Sequence, residues 1–275
     1  MQGRLLVVGG GPAGVAAATA AAQAGFRVLL AERGCRLGGQ LSVAGRAFSR
    51  RALWLRWSSW AEAELKARSV EVRLNTAVTA EDCAAWERVV LATGARSAGL
   101  SVRSPGRIAV LSAWEAILRP TPLTGSIVVF DGDGEWPALD AAELLATHGL
   151  AVYLVTPAET PGHGLRKGER GAYLDRLDAL SVRLMPRHDL ALCPDGHPAQ
   201  LRDLAAGRVR PFPLNLGAIV VAAGRISEDH LAAQLRVHPK IRRVGDAVQP
   251  RCLEDAITEG TRVVESLRDA SSDLS

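Results

Sequence analysis

The sequence lacks any pair of closely spaced cysteines. Its 275 residues contain four cysteines, each far from the others in the chain: Cys35, Cys83, Cys193 and Cys252. This spacing excludes a redox-active dithiol of the CxxC type and a protein-ligated iron–sulfur cluster. The six histidines are also scattered, without the spacing of metal ligands or of a catalytic triad. We therefore expect no metal site, and isolated cysteines of this kind are typical of the reducing cytoplasm.

Lysine and long apolar runs are also scarce. Only three of the 33 basic residues are lysines, the net charge is +4, and no dense basic block contains interleaved aromatic residues. This composition argues against a nucleic-acid-binding protein. No segment is apolar enough to span a bilayer, so we expect no membrane span. With 48% hydrophobic residues, the chain is long enough for two small domains with buried cores.

The N-terminal 25 residues, MQGRLLVVGGGPAGVAAATAAAQAG, fit two interpretations. A basic residue, an apolar stretch and small residues are features of a secretory signal peptide. The alternative is a buried strand over residues 4–8, a glycine turn, and a helix to about residue 24. The glycine spacing and the acidic residue that ends the next strand, RVLLAE, favour the second interpretation.

The glycine turn has the G-x-G-x-x-G spacing of a dinucleotide-binding loop. Gly9 permits the tight turn, Gly11 lets a pyrophosphate approach the backbone, and Gly14 lets the helix pack closely against the strand. The helix N-terminus then points at the phosphates. Glu32 ends the second strand, 18 residues beyond Gly14, where a carboxylate can accept hydrogen bonds from a ribose diol. Strand, glycines, helix, strand and acid in this order predict a bound dinucleotide.

Four segments occur in an order that resembles a group of flavoproteins. They are VVGGGPAG at the first loop, AERGCRLGGQL from residue 31, VVLATGA at 89–95 and VGDAVQPRCLEDAITEG at 244–260. Together they resemble flavoproteins with two dinucleotide domains, of the glutathione reductase and thioredoxin reductase type. LGGQL, the DGDG turn and the PRCLEDAITEG tail are more narrowly similar to the FAD/NAD(P)-binding region of the trimethylamine dehydrogenase and 2,4-dienoyl-CoA reductase (old yellow enzyme-like) family.

The resemblance implies an α/β fold with two Rossmann-like dinucleotide-binding domains, the second inserted into the first. We expect residues 1–121 to form the first half of the FAD-binding domain and residues 227–275 to form its second half. The inserted NAD(P)-type domain is expected over residues 122–226, from the strand GSIVVF to the strand GAIVVAAGR.

The resemblance also implies that the cofactor is FAD. Thr93 and Gly94 would lie near its adenosine–pyrophosphate part, and the backbone around Val78 would meet the adenine. Asp246 would hydrogen-bond the ribityl–phosphate region, and a helix beginning near Glu254 would point its positive end at the flavin. Because a site for ADP alone would not need Asp246, we favour FAD over ADP. No catalytic residue is expected, and the expected cofactor-binding residues are Gly9, Gly11, Pro12, Ala13, Gly14, Glu32, Arg33, Gly39, Gln40, Val78, Ala92, Thr93, Gly94, Gly245, Asp246 and Ala256.

The second loop, FDGDGEWPA at 130–138, departs from the pattern of a phosphate loop. Two of its glycines have the right spacing, whereas Pro137 takes the place of a third. Three carboxylates around the turn would repel a pyrophosphate, and the next strand, AVYLVT, ends without an acid for a ribose. We expect a degenerate site, with weak or unusual NAD(P)H binding as the alternative. The three carboxylates are those of Asp131, Asp133 and Glu135.

Members of the narrower family usually carry an FMN-containing barrel and a four-cysteine iron–sulfur segment ahead of this region, and this sequence contains neither. We therefore expect an FAD-binding electron-transfer subunit of a multi-component cytoplasmic oxidoreductase. Its FAD would pass electrons between an external carrier and the FMN or iron–sulfur centre of a separate barrel subunit or another redox protein. Two alternatives stay open: a stand-alone NAD(P)H-dependent flavin reductase, and a structural subunit that holds ADP.

Residues 46–68 form the most aromatic segment, in which Trp54, Trp57 and Trp60 recur every three residues. The spacing predicts a helix that packs its tryptophans onto the FAD domain. Two alternatives are an exposed docking surface for a partner subunit and a membrane-surface helix.

Overall fold

The structure of the protein is a computed structural model. It describes residues 3–98, 108–118, 122–191, 200–212, 215–235 and 240–269. Within these ranges strands and helices alternate, and both five-stranded sheets are parallel, which confirms the predicted α/β class. None of the helices in the described part of the chain combines the length and the apolarity needed to cross a membrane.

The strands follow the apolar runs of the sequence closely. In chain order they are β1 (Arg4–Val8), β2 (Arg27–Ala31), β3 (Glu71–Arg73), β4 (Arg88–Leu91), β5 (Ala95–Ser97), β6 (Ala109–Ser112), β7 (Ser126–Asp131), β8 (Ala151–Val155), β9 (Arg183–Met185), β10 (His188–Ala191), β11 (Gln200–Asp203), β12 (Arg208–Pro211), β13 (Leu216–Ala222), β14 (Arg225–Ser227) and β15 (Ile241–Arg243).

The helices connect the parallel strands. In chain order they are α1 (Pro12–Gln23), α2 (Gln40–Ala44), α3 (Phe48–Ala67), α4 (Ala80–Ala84), α5 (Ala113–Leu118), α6 (Trp136–Thr147), α7 (Lys167–Ala179), α8 (His230–Leu235) and α9 (Leu253–Asp269). A short 3₁₀ turn over Gly245–Ala247 precedes α9.

The chain divides into two compact units. The first unit comprises Met1–Ser42, Leu53–Arg96 and Arg225–Ser275. Its sheet has the strand order β15-β4-β1-β2-β3, and each neighbouring pair of strands is parallel. The last four residues of β1 and of β2 are buried, because central strands of a parallel sheet are covered on both faces. The loop that follows β1 therefore lies at the carboxyl edge of this sheet, where ligands bind in open α/β folds.

The second unit comprises Val43–Ala52 and Ser97–Gly224. Its parallel sheet has the order β6-β13-β7-β8-β9, and an antiparallel sheet has the order β10-β11-β12. Leu190 and Leu201 of the antiparallel sheet belong to the same buried cluster as Phe130 and Val155 of the parallel sheet.

The division of the chain differs from the predicted boundaries mainly at the start of the insertion. The chain leaves the first unit after Arg96 instead of after residue 121, because β6 is the edge strand of the second sheet and pairs with β13. Residues 43–52 also belong to the second unit, where Ser49 and Arg50 bond to side chains of α6 and α7. The chain returns to the first unit at Arg225, two residues before the predicted position.

Helices α1 and α9 of the first unit pack at very short range. A Cβ atom at Gly260 of α9 would lie 2.2 Å from the carbonyl oxygen of Ala13 in the first turn of α1. A Cβ atom at Gly245 would lie 2.7 Å from the Cβ atom of Ala13. This packing places the 3₁₀ turn beside the glycine loop that opens α1.

Candidate functional site

The N-terminus of α1 is open to a ligand. Gly11 precedes the helix, no side-chain hydrogen bond caps it, and the first turn contains no acidic residue. Pro12, which has no N–H group, begins the helix. A Cβ atom at Gly11 would meet no atom within 4 Å. A helix end whose N–H groups face free space is suited to binding a phosphate group.

Gly9 and Gly14 shape this loop through close backbone contacts. Gly9 has a φ of +108°, and a Cβ atom there would lie 2.3 Å from the carbonyl oxygen of Ala92. A Cβ atom at Gly14 would lie 1.9 Å from the carbonyl oxygen of Gly9. The packing of the protein itself therefore requires these two glycines. It does not require Gly11, so the space in front of Gly11 fits a ligand.

Glu32 holds the loop from the end of β2. Its Oε2 atom accepts a hydrogen bond from the N–H of Gly10, and its Oε1 atom accepts one from the N–H of Gly34, both at 2.7 Å. Each carboxylate oxygen has two lone pairs, so both oxygens can still accept a bond from a ribose hydroxyl. Arg33 follows Glu32 and is exposed.

Asp246, Gln40 and Arg225 form a hydrogen-bonded group in the first unit. The Nε2 atom of Gln40 donates to Asp246 Oδ2 at 2.8 Å. The Nη1 atom of Arg225 donates to the same oxygen at 2.9 Å and to Gln40 Oε1 at 3.1 Å. The N–H of Arg251 donates to Asp246 Oδ1 at 3.1 Å. The side chains of Arg225 and Asp246 are only 13% and 11% exposed, so this ion pair is largely shielded from solvent.

Short backbone approaches place this group beside the first loop. Thr93 and Gly94 also bond to the returning segment: the Thr93 hydroxyl donates to the carbonyl oxygen of Glu228 at 2.6 Å, and the N–H of Glu228 donates to Gly94 at 2.9 Å. A Cβ atom at Gly39 would lie 3.3 Å from the Cα atom of Gly11, and one at Gly94 would lie 3.9 Å from Gln40 Nε2. A Cβ atom at Gly245 would lie 3.6 Å from the Cβ atom of Ala256.

The structure gathers most of the predicted residues around the end of α1. Val78 is half-buried against the apolar cluster that contains Leu6 and Leu29, and Arg33 is exposed. The sequence interpretation missed Arg225, whose only signal is its place after Gly224 at the end of GAIVVAAGR. The gathered residues are Gly9, Gly11, Pro12, Ala13, Gly14, Glu32, Gly39, Gln40, Ala92, Thr93, Gly94, Gly245, Asp246 and Ala256.

The loop after β7, in the second unit, is closed by its own residues. Asp131 is fully buried, and its Oδ1 atom accepts the N–H of Gly134 at 2.9 Å. Its Oδ2 atom accepts the N–H of Gly162 at 2.7 Å. Asp133 Oδ1 accepts the N–H of Glu135 at 3.1 Å. The turn thus directs backbone donors to its own carboxylates, whereas a phosphate loop offers such donors to its ligand.

His163 covers the same turn. Gly134 has a φ of +72°, and a Cβ atom there would lie 2.3 Å from the His163 ring. The N–H of Gly164 donates to the carbonyl oxygen of Gly134 at 2.9 Å. The space that stays open at Gly11 in the first loop is therefore filled at Gly134 in the second.

Burial raises the pKa of Asp131 to about 6, and the nearby Asp133 carboxylate acts in the same direction. The hydrogen bonds from Gly162 and Gly134 and the nearby His163 partly oppose this rise. Asp131 is therefore mostly ionised at pH 7, and a negative charge beneath the turn repels a pyrophosphate.

A buried ionic network in the second unit joins residues 49–50 to α6 and α7. The Ser49 hydroxyl and the Arg176 Nε atom donate to Glu143 at 3.0 and 2.6 Å. Arg50 donates to the Tyr173 hydroxyl at 2.8 Å and pairs with Asp140 at 3.7 Å. Burial raises the pKa of Asp140 to about 7, although Arg50 and Tyr173 act in the opposite direction. These groups are paired with one another, and we interpret the network as structural.

Helix α3 buries only part of its aromatic row. Trp57 is buried, and its ring stacks on Trp54 at a centroid distance of 5.9 Å. Trp54 also packs on Gly38, where a Cβ atom would lie 2.2 Å from its ring. Trp60 is 47% exposed. Packing therefore explains Trp54 and Trp57, but it does not explain Trp60.

The parallel sheets and the glycine turn before α1 are the features of a dinucleotide-binding protein. Within the described ranges, no cluster of three or more His, Cys, Asp or Glu side chains could hold a metal ion.

Comparisons with known proteins find similar flavoproteins over part of the chain. A family model described as FAD dependent oxidoreductase matches residues 5–91. The probable N-methylproline demethylase of Rhizobium meliloti (strain 1021) is 34% identical over 159 residues, which are 56% of this chain and 23% of that protein. The N,N-dimethylglycine/sarcosine dehydrogenase of Chromohalobacter salexigens is 32% identical over 167 residues, 58% of this chain and 24% of that protein. The chain thus spans about a quarter of the length of these curated relatives.

Solved structures resemble this chain over nearly its whole length. Histamine dehydrogenase from Rhizobium sp. 4-9 has a TM-score of 0.85 and 25% identity, over 97% of this chain and 44% of that chain. Lactococcus lactis thioredoxin reductase has a TM-score of 0.70 and 16% identity, over 99% of this chain and all of that chain, and shows the fold alone. These likenesses confirm the resemblance to FAD-dependent oxidoreductases found in the sequence, and they support FAD as the cofactor.

Proposed function

We propose that this chain is an electron-transfer component of a multi-component oxidoreductase, in which FAD exchanges electrons with a redox centre of a partner protein. The observation that carries the proposal is the closure of the second loop. Because Asp131 accepts the N–H groups of Gly134 and Gly162, that loop has little left to offer the pyrophosphate of NAD(P)H. The electrons would then come from a protein partner and not from a nicotinamide.

The first unit supplies the proposed FAD site. The N–H groups at the start of α1 would bind the pyrophosphate, and Glu32 would accept hydrogen bonds from the adenosine ribose. Gln40 and Asp246 would face the ribityl–phosphate part, close to Gly39 and Gly94. FAD, when bound, supplies the reversible electron chemistry, whereas the chain supplies binding, orientation and a fixed electrostatic environment.

The proposed partner carries FMN or an iron–sulfur cluster, on a separate barrel subunit or on another redox protein. The proposal is supported by the similarity to two proteins named as a demethylase and a dehydrogenase of methylated amines. In each of them the matched region is about a quarter of the protein. We propose that the chemistry on the organic substrate takes place in the partner.

The test is the visible spectrum of the purified protein, followed by anaerobic additions. We expect flavin bands at roughly 370 and 450 nm, as for any bound FAD. We expect the bands to persist with NADH and with NADPH, and to bleach with dithionite, which serves as the positive control. Rapid bleaching by either nicotinamide would contradict the proposal. Absence of flavin, with ADP released on denaturation, would instead favour a structural subunit.

A stand-alone NAD(P)H-dependent flavin reductase is the second candidate. It is favoured by the similarity to the NADH oxidase of Thermoanaerobacter brockii, which is 34% identical over 157 residues, 55% of this chain and 24% of that protein. The same anaerobic addition of NADH distinguishes the two candidates, since only this one predicts rapid bleaching.

A further inference from the structure

The proposed FAD site contains an electrostatic conflict. The pyrophosphate of FAD is an anion, and the Asp246 carboxylate, the next group along the expected path of the cofactor, is an anion as well. The 3₁₀ turn that carries Asp246 packs on Ala13 in the first turn of α1, where the pyrophosphate is expected. A helix N-terminus offers only about half a positive charge to such a ligand. The site therefore needs a further positive charge near the carboxylate.

Arg225 supplies that charge in a fixed position. One guanidinium nitrogen, Nη1, donates to both Asp246 and Gln40, and the other, Nη2, donates to the carbonyl oxygen of Arg251 at 3.2 Å. Gln40 in turn donates to Asp246. Because the side chains of Arg225 and Asp246 are only 13% and 11% exposed, solvent screens this pair less than it would a surface pair.

We propose that Arg225 is a positioning residue for FAD: it offsets the charge of Asp246 and fixes the Asp246 carboxylate and the Gln40 amide, so that the dinucleotide can bind beside them. This inference rests on the proposed site in the first unit. Without Arg225, the carboxylate would be partly buried, uncompensated and close to a second anion.

A purely structural brace would have different consequences. If Arg225 only joined the segments that carry Gln40, Asp246 and Arg251, its loss would weaken folding. FAD affinity would then decline only as far as the stability of the apoprotein declines. Arg225→Met would also cost as much FAD affinity in the Asp246→Asn background as in the wild type. If charge compensation is its role, removal of the carboxylate charge repairs the loss, since no anion is left to compensate.

The experiment compares Arg225→Met, Arg225→Lys, Asp246→Asn and the double variant Arg225→Met/Asp246→Asn with the wild-type protein. Dissociation constants of FAD are measured on apoprotein by quenching of flavin fluorescence, at low and at high salt, together with the melting temperature of each apoprotein. Arg176→Met is the matched control, because Arg176 also pairs with a buried carboxylate, that of Glu143, but in the second unit.

We expect Arg225→Met to weaken FAD binding by roughly 10- to 100-fold, the range for a lost charge-assisted hydrogen bond. The loss should be larger at low salt than at high salt. Arg225→Lys should retain part of the affinity, and the double variant should bind FAD about as well as Asp246→Asn alone. Arg176→Met should lower the melting temperature without changing the FAD dissociation constant.

Two results would overturn the inference: wild-type affinity in Arg225→Met, or a double variant that binds FAD much more weakly than Asp246→Asn alone. If Arg225→Met does not fold, Arg225→Lys is compared with the wild type, and the double variant is compared with Asp246→Asn. A wild-type apoprotein that does not bind FAD would contradict the proposed site itself, and this outcome is visible before any variant is made.

Discussion

Replacement of Gly11 by alanine separates a requirement of the ligand from a requirement of the fold. Gly11 has φ −74° and ψ 179°, which alanine adopts without strain, and its new Cβ atom would meet no atom within 4 Å. Loss of backbone freedom in the unfolded chain favours alanine by about 0.4–1 kcal/mol. The poorer N-cap preference of alanine opposes this by a similar amount, roughly 0.5–1 kcal/mol. We therefore expect the unfolding free energy of the apoprotein to change by less than about 1 kcal/mol.

Binding of FAD should change far more. The added methyl group would occupy the space through which the pyrophosphate approaches the backbone at the start of α1. If it displaces the phosphates from two N–H groups, each worth about 1.5–3 kcal/mol when bonded to a charged acceptor, affinity falls by at least about 100-fold. The assays are urea unfolding of the apoproteins and FAD titration followed by flavin fluorescence.

Two further glycines serve as controls for Gly11→Ala. Gly14→Ala should fail to fold normally, because its Cβ atom would lie 1.9 Å from the carbonyl oxygen of Gly9. Gly171→Ala, in the interior of α7 with open space around it, should keep wild-type FAD affinity and gain about 0.5–1 kcal/mol of stability. Wild-type FAD affinity in Gly11→Ala would refute the assignment of the first loop as the pyrophosphate site.

Three other changes test the packing and the second loop. Gly260→Ala should destabilise the protein by about 1–3 kcal/mol or more in urea unfolding, since its Cβ atom would lie 2.2 Å from Ala13 and force α9 away from α1; an unchanged midpoint would contradict this packing. Asp131→Ala should cost roughly 2–6 kcal/mol, because two buried N–H groups lose their acceptor, and a variant as stable as the wild type would show that the loop is not closed by this carboxylate. The pKa values of Asp131 and Asp140 are raised by burial to about 6 and about 7, so the folded protein holds protons that the unfolded chain releases above about pH 4. The unfolding free energy should consequently fall as pH rises from about 4 towards each folded pKa, by up to about 1.4 kcal/mol per pH unit for each group. Asp140→Asn should remove one of these contributions, so the wild type should lose stability relative to this variant as pH rises. A wild type that gains stability relative to Asp140→Asn with rising pH would contradict the sign.

The sequence predicts the local elements of this fold well, because each depends on a short pattern. The apolar run at residues 4–8 becomes β1 with the expected bounds, and RVLLAE becomes β2 with Glu32 just beyond it. The start of the insertion is less evident from the sequence. β6 carries only four residues, and its place in the second sheet is decided by pairing with β13, more than 100 residues later in the chain. Short edge strands of this kind have weak local signals, and tertiary pairing determines them.

Contacts between distant segments account for most of what sequence reasoning missed in the site. Arg225 bonds to Asp246 and Gln40, which are 21 and 185 residues away in the sequence, so no local motif predicts these contacts. The three carboxylates of the second loop are visible in the sequence, and their repulsion of a phosphate was expected from charge alone. Their stronger effect comes from geometry, since Asp131 accepts donors from the turn and from Gly162, 31 residues further along the chain.

The two glycine loops differ most at a single position. Gly9 and Gly11 follow the strand residue Val8, whereas Gly132 and Gly134 follow Asp131 at the equivalent place. Valine has no acceptor, so the donors at the start of α1 are left for a ligand. Aspartate brings an acceptor to the turn and binds its N–H groups from within. A carboxylate in this position binds the second loop's N–H groups as the proposed phosphate would bind those of the first, at no cost in binding entropy, because it is part of the chain. A nicotinamide cofactor would have to compete with a covalently attached anion, and this competition is the physical reason to look for the electron donor among proteins.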